Sequence, residues 1–291
     1  MILTNYHTHS SYCDGKGSPE NYMEAASFKG FTALGFSSHA PIPIESGWTM
    51  KKESLEKYIS EIKSLKNKYQ NNIQVYLGLE IDYIPGYQEP SDAEWNNIGL
   101  DYSIGSVHST ASLDINPEYF CIDGPLDELE WLIENIHEGS YENLSFEYYR
   151  RISQLVKKGG FSILGHFDLL KKRNRHNTYF SEDSQWYKSH VRAALEAFSG
   201  SSVIMEINSG AISRGVLEEV YPSPWIIAEA KKMDIPVMVN ADAHRPMDID
   251  CCFEDSLHLL KDIGYKNVKM LLDDSWKDVL IDQALEGAEH Y

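Results

Sequence analysis

Leu3-Thr4-Asn5-Tyr6-His7-Thr8-His9 is a short apolar, β-branched and aromatic run that closes on two histidines. Such a composition reads as a β-strand. Residues two apart in a strand share a face, so His7 and His9 project together from its end. Six more runs of this kind follow, at residues 33–39, 74–83, 102–108, 161–167, 203–208 and 236–242. Between them lie amphipathic segments. Residues 19–29 open after Ser18 with proline at the first helical position and stop at Gly30. Residues 51–69 set Leu55, Tyr58, Ile59, Ile62 and Leu65 on one face, with Lys and Glu opposite. Residues 126–136, 146–158, 181–198, 224–233 and 253–263 read the same way, and a final outer helix is expected over 275–288.

Alternating strands and helices build a parallel sheet with helices outside it. That sheet is either open and doubly wound or closed into a barrel. No G-x-G-x-x-G or P-loop glycine cluster marks a nucleotide crevice, which favours the barrel. No linker, solenoid repeat or low-complexity stretch divides the 291 residues, so one α/β domain over 1–291 is expected.

The ends of these runs carry the chemistry. Tyr6-His7-Thr8-His9, Gly35-Phe36-Ser37-Ser38-His39 and Gly78-Leu79-Glu80-Ile81-Asp82 each finish on potential metal ligands. So do Gly105-Ser106-Val107-His108, Leu164-Gly165-His166-Phe167-Asp168 and Asn240-Ala241-Asp242-Ala243-His244. Barrel enzymes keep their active sites at this end of the strands. A lone strand-end histidine is ordinarily structural, but six of the 11 histidines fall at this one place, on strands otherwise poor in charge. Gathered there without a cation they would be desolvated at high cost; divalent ions turn them into satisfied ligands. Asp14-Gly15 reads as a turn as well as a ligand. Asp82 shares a face with Glu80 and is placed to accept from a ligand histidine, and Asp168 follows His166 at the same spacing. His137, His176, His190, His258 and His290 are read as surface or structural.

A formal net charge of −18 repels nucleic-acid phosphates and anionic membranes, and suits a small, partly cationic substrate. Cys13, Cys121, Cys251 and Cys252 form no C-x-x-C pair and are read as free, buried small hydrophobes. With no signal peptide and no long apolar span, a cytoplasmic protein is expected.

The ordered set His7-Thr8-His9, Ser38-His39, Gly78-Leu79-Glu80, Ser106-Val107-His108, Gly165-His166 and Asp242-Ala243-His244 resembles the polymerase-and-histidinol-phosphatase (PHP) family. The resemblance implies a distorted barrel of seven mainly parallel strands with three divalent metal ions, of zinc, iron or manganese, at the C-terminal strand ends. It implies one metal on His7, His9, Glu80 and Asp242. A second shares Glu80 and takes His108 and His166, and a third takes Asp14, His39 and His244. The stretches Glu80-Ile81-Asp82-Tyr83-Ile84-Pro85-Gly86, 102–108, Glu206-Ile207-Asn208 and Tyr221-Pro222-Ser223 resemble the stand-alone histidinol-phosphatase branch. That branch implies hydrolysis of L-histidinol phosphate by metal-bound hydroxide, with no protein nucleophile.

Phosphate needs positive groups near the barrel mouth, and arginine matches it through paired hydrogen bonds. Lys171-Lys172-Arg173-Asn174-Arg175 and Arg214 offer them, and Arg173 and Arg214 resemble the branch's phosphate-binding arginines. Residues 41–50 are a candidate lid, and Glu45, Trp48 and Tyr83 are candidates to receive the cationic alcohol. The competing readings are a related phosphodiesterase or nuclease, a phosphotyrosine phosphatase, and a metal-binding domain without turnover.

Overall fold

The computed structural model describes residues 1–286. Its elements run β1 (Thr4–Asn5), α1 (Pro19–Lys29), β2 (Ala33–Phe36), α2 (Leu55–Tyr69), β3 (Gln74–Leu77) and β4 (Glu80–Asp82). Then come α3 (Ala93–Asn96), β5 (Ile104–Ser106), α4 (Leu126–Ile136), α5 (Tyr141–Lys158), β6 (Ile163–Leu164) and α6 (Gln185–Glu196). The chain continues with β7 (Ile204–Asn208), α7 (Gly210–Ser213), α8 (Pro224–Lys232), β8 (Val237–Asn240) and α9 (Phe253–Ile263). It ends in β9 (Asn267–Leu272), β10 (Ser275–Leu280) and α10 (Ile281–Glu286).

β1, β2 and β3 form one parallel sheet, and β4 to β8 form a second in chain order. β3 and β4 are one expected strand, interrupted at Gly78-Leu79 and bonded on across the break: Gly78 N–H donates to Phe36 O, and Leu79 O accepts from Ile104. At the other seam no regular ladder forms. Isolated parallel bridges pair Thr8 with Ala243 and His39 with Glu80. Side chains complete the seam between β1 and β8, where Asn240 Oδ1 accepts the Tyr6 N–H at 2.9 Å and Asn5 Oδ1 accepts that of Ala241 at 3.1 Å. The architecture is a distorted, mainly parallel α/β barrel.

Strand periodicity explains its two surfaces. Inward positions start apolar: Tyr76, Ile104, Ile163, Ile204 and Met238 meet Tyr6 and Tyr102 in one buried cluster, closed from below by Leu271 and Trp276. Two residues further along, the same faces turn polar, at Ser106, Glu206 and Asn240. Gly35 and Gly78 make room for the Tyr102 ring, since a Cβ on either would fall within 2.4 Å of it. Outward positions such as Leu34, Val75, Ile81, Met205, Ile207 and Val237 pack on the amphipathic helices. The polar end of the barrel is therefore a consequence of sequence order along each strand.

The C-terminal expectation needs correcting. Residues 275–280 form a strand, paired antiparallel with β9, and only Ile281–Glu286 is helical; residues 287–288 and His290 lie outside the described residues. The hairpin turns on Asp273 and Asp274, both at positive φ (50° and 55°), a two-residue turn made without the usual glycine. Of the cysteines, all free, only Cys121 is buried; Cys13, Cys251 and Cys252 are partly exposed.

Candidate metal centre

Glu80 is the hub of the polar end. It leaves the break in β3–β4 with its side chain sealed from solvent. One oxygen, Oε2, lies 2.9 Å from His39 Nδ1, 3.2 Å from His7 Nε2 and 3.5 Å from His9 Nε2. The other, Oε1, lies 3.0 Å from His166 Nε2 and 3.7 Å from His108 Nε2, and accepts from Ser106 Oγ at 2.7 Å. A carboxylate facing two sets of imidazoles through its two oxygens has the geometry of a bridge. Asp242 faces the first set, with Oδ1 3.1 Å from His9 Nε2 and 3.7 Å from His7 Nε2. Asp14 Oδ2 lies 3.2 Å from His244 Nε2, and Asp14 Oδ1 is 4.0 Å from His39 Nε2.

All nine residues singled out as ligands thus converge. Their donor atoms fall into three overlapping groups able to hold an ion: His9, Asp14, His39 and His244; His7, His9 and Asp242; His39, Glu80 and His108. His166 joins through Glu80. The donor set fits divalent cations on a further ground. His7 Nε2, His9 Nε2, Asp14 Oδ1, His39 Nδ1, Glu80 Oε2 and His166 Nδ1 are buried atoms that make no hydrogen bond. Orphaned polar atoms are costly, and here six of them gather in one site.

Outer partners fix the imidazoles. His7 Nδ1 sits 2.7 Å from Glu206 Oε1, which turns Nε2 toward Glu80 and Asp242. His108 Nδ1 sits 2.9 Å from Asp82 Oδ1, whose second oxygen accepts from Tyr119 OH at 2.8 Å. Such carboxylate–imidazole pairs set the tautomer and raise ligand basicity. The expectation for Asp82 therefore holds. That for Asp168 does not: it turns away and accepts from Ser223 N–H at 2.8 Å, its carboxyl pushed up by burial to about 6. The cause is local, since His166 has a φ of +22° and the two-residue alternation breaks there. Glu206 was missed as an orienting residue. Its signal was a carboxylate in the middle of the apolar run Ile204-Met205-Glu206-Ile207, a place where charge must be paired.

Protons stand in for cations in the metal-free cluster. Burial opposes charge on His7, yet Glu206, Glu80 and Asp242 outweigh it and hold its pKa well above the usual value. Against the same burial, Asp82 carries His108 up to about 10, and Glu80 and Asp14 raise His39. His9 goes the other way, to about 3, through burial and its neighbours His244 and His39. Burial works against charge on Glu80 and Asp242 too, but the surrounding cationic groups keep both well below the carboxylate range. Near pH 7, His7 and His108 therefore carry protons that a cation must expel. We expect at least about two protons released per chain on loading, and apparent affinity falling about a hundredfold per pH unit as pH drops. Titration calorimetry in two buffers of different ionisation enthalpy checks this; release near zero would contradict it.

A cavity of about 320 Å³ opens onto the cluster, lined by Trp48, Asp123, Glu128, Lys172 and Arg214 besides the candidate ligands. Arg214 follows β7 and bonds Asp242 twice, Nη2 to Oδ2 at 3.1 Å and Nη1 to the carbonyl at 3.0 Å. Arg173 instead donates to the carbonyls of Asp123 and Gly124 and is not among the lining residues. Its neighbour Lys172 reaches the cavity, paired with Asp123 at 2.7 Å. Lys171 is buried on Glu219, Val220 O and Ser223, and Arg175 pairs with exposed Glu218. From the 41–50 segment Trp48 stands edge-on over His39 and His108, at 4.6 and 5.3 Å between ring centres. Glu45 lines a separate outer cleft and Tyr83 points toward Gln154.

The family model described as PHP domain matches residues 5–210. The chain is 28% identical over 270 residues to a Deinococcus radiodurans protein named "Probable histidinol-phosphatase", covering 91% of this chain and 95% of that one. It is 29% identical over 263 residues to the histidinol-phosphatase of Bacillus subtilis, covering 85% and 96%. Its fold matches the histidinol phosphate phosphatase of Lactococcus lactis, solved with zinc, L-histidinol and phosphate, at TM-score 0.72 and 17% identity over 94% and 98% of the two chains.

Proposed function

The chain belongs to the PHP family, and from that premise we propose that it is a phosphomonoesterase that hydrolyses L-histidinol phosphate to L-histidinol and phosphate, a step of histidine biosynthesis. The observation that carries the chemistry is the set of buried donor atoms that make no hydrogen bond, of which His7 Nε2, His9 Nε2 and His39 Nδ1 meet at Glu80 Oε2. The substrate is supported by the two named relatives, which this chain matches along almost their whole length.

We assign His7, His9, Asp14, His39, Glu80, His108, His166, Asp242 and His244 as ligands of three divalent ions, with zinc favoured by the Lactococcus lactis neighbour. When bound, such ions lower the pKa of water toward neutrality and polarise a phosphoryl oxygen. The chain's own residues do the rest. Glu206 and Asp82 hold His7 and His108 with Nε2 aimed at the centre. Arg214, drawn to the cluster by Asp242, places a guanidinium at the wall where phosphoryl charge develops, so little reorganisation is needed there. Trp48 narrows the mouth and excludes water. Arg173 reaches phosphate only by leaving the carbonyls of Asp123 and Gly124.

We expect Arg214→Ala to raise KM for a phosphomonoester at least about tenfold, the cost of a charge-assisted bond, while metal content holds. Steady-state kinetics with elemental analysis reads both. Unchanged kinetics would remove Arg214 from phosphate binding.

The whole chain acts as one catalytic unit in this reading, in the cytoplasm, where its four free cysteines stay reduced. No helix among the described residues is long and apolar enough to cross a membrane. Phosphate release from metal-loaded protein, compared on L-histidinol phosphate, a phosphotyrosine peptide and a dinucleotide, tests the substrate. Preference for the dinucleotide would overturn the proposal, as would no turnover of any of the three.

A further inference from the structure

Two thiols meet at the start of α9, outside the cavity over the histidine centre. Cys251 and Cys252 are adjacent in the chain, and their Sγ atoms lie 3.6 Å apart. Neighbouring side chains ordinarily diverge, to opposite faces of a strand or by about 100° around a helix. Here Cys252 takes the left-handed region, at φ 55° and ψ 25°, and both sulfurs come to the same side. The backbone that presents them is pinned twice. Ser209 Oγ donates to Cys251 O at 2.6 Å, and Ser256 Oγ donates to Cys252 O at 2.7 Å. Both cysteines are partly exposed, so a solute can reach the pair. The other two thiols find different neighbours: Cys13 lies 3.5 Å from His9 Nδ1, and Cys121 donates to Tyr119 O.

The spacing of the pair says what it can hold. A disulfide needs its sulfurs at about 2.0 Å. Two thiolates on one tetrahedral ion, each about 2.3 Å from it, stand about 3.8 Å apart. The observed 3.6 Å is the spacing of a chelate. Protonation points the same way. Burial, Cys252 and the nearby carboxylates of Asp248 and Asp250 push the Cys251 thiol up to about 12. A thiol so rarely ionised is a poor nucleophile toward an oxidant, whereas a bound metal ion deprotonates it outright. The two carboxylates are engaged elsewhere, Asp248 with Arg245 and Asp250 with Lys29, which leaves the sulfurs as the donors. We propose that Cys251 and Cys252 form a second ion site, apart from the histidine centre, that chelates a soft, thiophilic cation through both sulfurs. Thiolates select soft ions, and zinc in its closed sites takes four protein ligands where this pair offers two. A divalent ion of the cadmium kind is taken up as each sulfur bonds it and releases its proton to solvent; nothing is oxidised or reduced. The assignment is independent of the phosphomonoesterase reading.

The test titrates cadmium into protein whose histidine centre is already filled with zinc, and follows the ultraviolet charge-transfer absorption that appears only when sulfur binds cadmium. We expect the absorption to saturate at one cadmium per chain, and to be lost in Cys251→Ser and in Cys252→Ser but kept in Cys13→Ser. Zinc content, read in the same samples, separates loss of the pair from damage to the centre. A second probe needs no variant. Phenylarsine oxide closes on two neighbouring thiols, its oxygen leaving as water with their two protons, and one equivalent should block the cadmium absorption of the unaltered protein. No absorption, or absorption that persists in either variant of the pair or after the arsenical, overturns the assignment.

Discussion

Replacing Glu80 with Gln lowers kcat at least about a thousandfold, equivalent to about 4 kcal/mol of transition-state stabilisation, and removes at least one ion per chain. No other side chain stands between so many candidate ligands. Its Oε2 faces His7, His9 and His39, and its Oε1 faces His166 and His108. The amide keeps the shape and loses both the charge and one acceptor, turning an NH₂ group toward ring nitrogens that need a carboxylate or a cation between them. Ser106 Oγ, which donates to Oε1 at 2.7 Å, keeps its acceptor only if the amide oxygen points that way. Either orientation leaves one group of imidazoles facing a donor. Kinetics and elemental analysis on the folded variant check this. Activity within about tenfold of the parent would mean that Glu80 bridges nothing.

The second large effect falls on stability as well as chemistry. Glu206 is buried without exposure and accepts four bonds. His7 Nδ1 at 2.7 Å and Asn240 Nδ2 at 3.0 Å take one oxygen. His166 N–H at 3.0 Å and Asn208 Nδ2 at 2.9 Å take the other. Glu206→Ala strands all of these in a dry site and destabilises the metal-free protein by about 3–5 kcal/mol. At this chain length that is a drop of about 10 °C in Tm. His7 also loses the group that fixes its tautomer, so metal affinity falls about 10–100-fold. Thermal melts of metal-free protein and a metal titration read the two effects separately. A Tm loss below about 2 °C would show that the donors find other partners.

Most of the centre was legible because it depends on strand periodicity. His7 and His9 lie two apart in the extended segment just past β1, and Glu80 and Asp82 two apart on β4, and the structure gives each pair the shared environment expected of it. The same rule failed at His166 and Asp168, because a positive φ at His166 re-aims the next residues, and sequence carries no sign of that turn. It also missed the closing hairpin. Asp273-Asp274 makes its turn with side chains that tolerate the left-handed region, and the sequence lacks the Asn-Gly or Asp-Gly that usually announces one. Trp48 was legible as a candidate because it sits in a long proline-bearing loop after a ligand strand. The phosphate side shows a limit: Arg173 and Lys172 are neighbours in sequence, yet only Lys172 lines the cavity.

Glycines around the barrel floor fit the same account. Gly105 accepts the Phe161 ring at the distance where a Cβ would clash, as Gly35 and Gly78 accept Tyr102. These contacts fix how deep the strands can pack and so where their polar ends emerge. Gly210 does similar work at the mouth, where a Cβ would lie 2.8 Å from Arg214 Nη2 and from Asp242 Oδ2. The site's position is set by packing, and its chemistry by the residues that packing leaves exposed to one another.

The most direct measurement loads metal-free protein stepwise with zinc and follows bound metal and phosphate release from L-histidinol phosphate in the same samples. The account predicts saturation at three ions per chain, with hydrolysis appearing only as the Glu80-centred groups fill. Saturation at one ion or none, or hydrolysis that persists in the stripped protein, would contradict it.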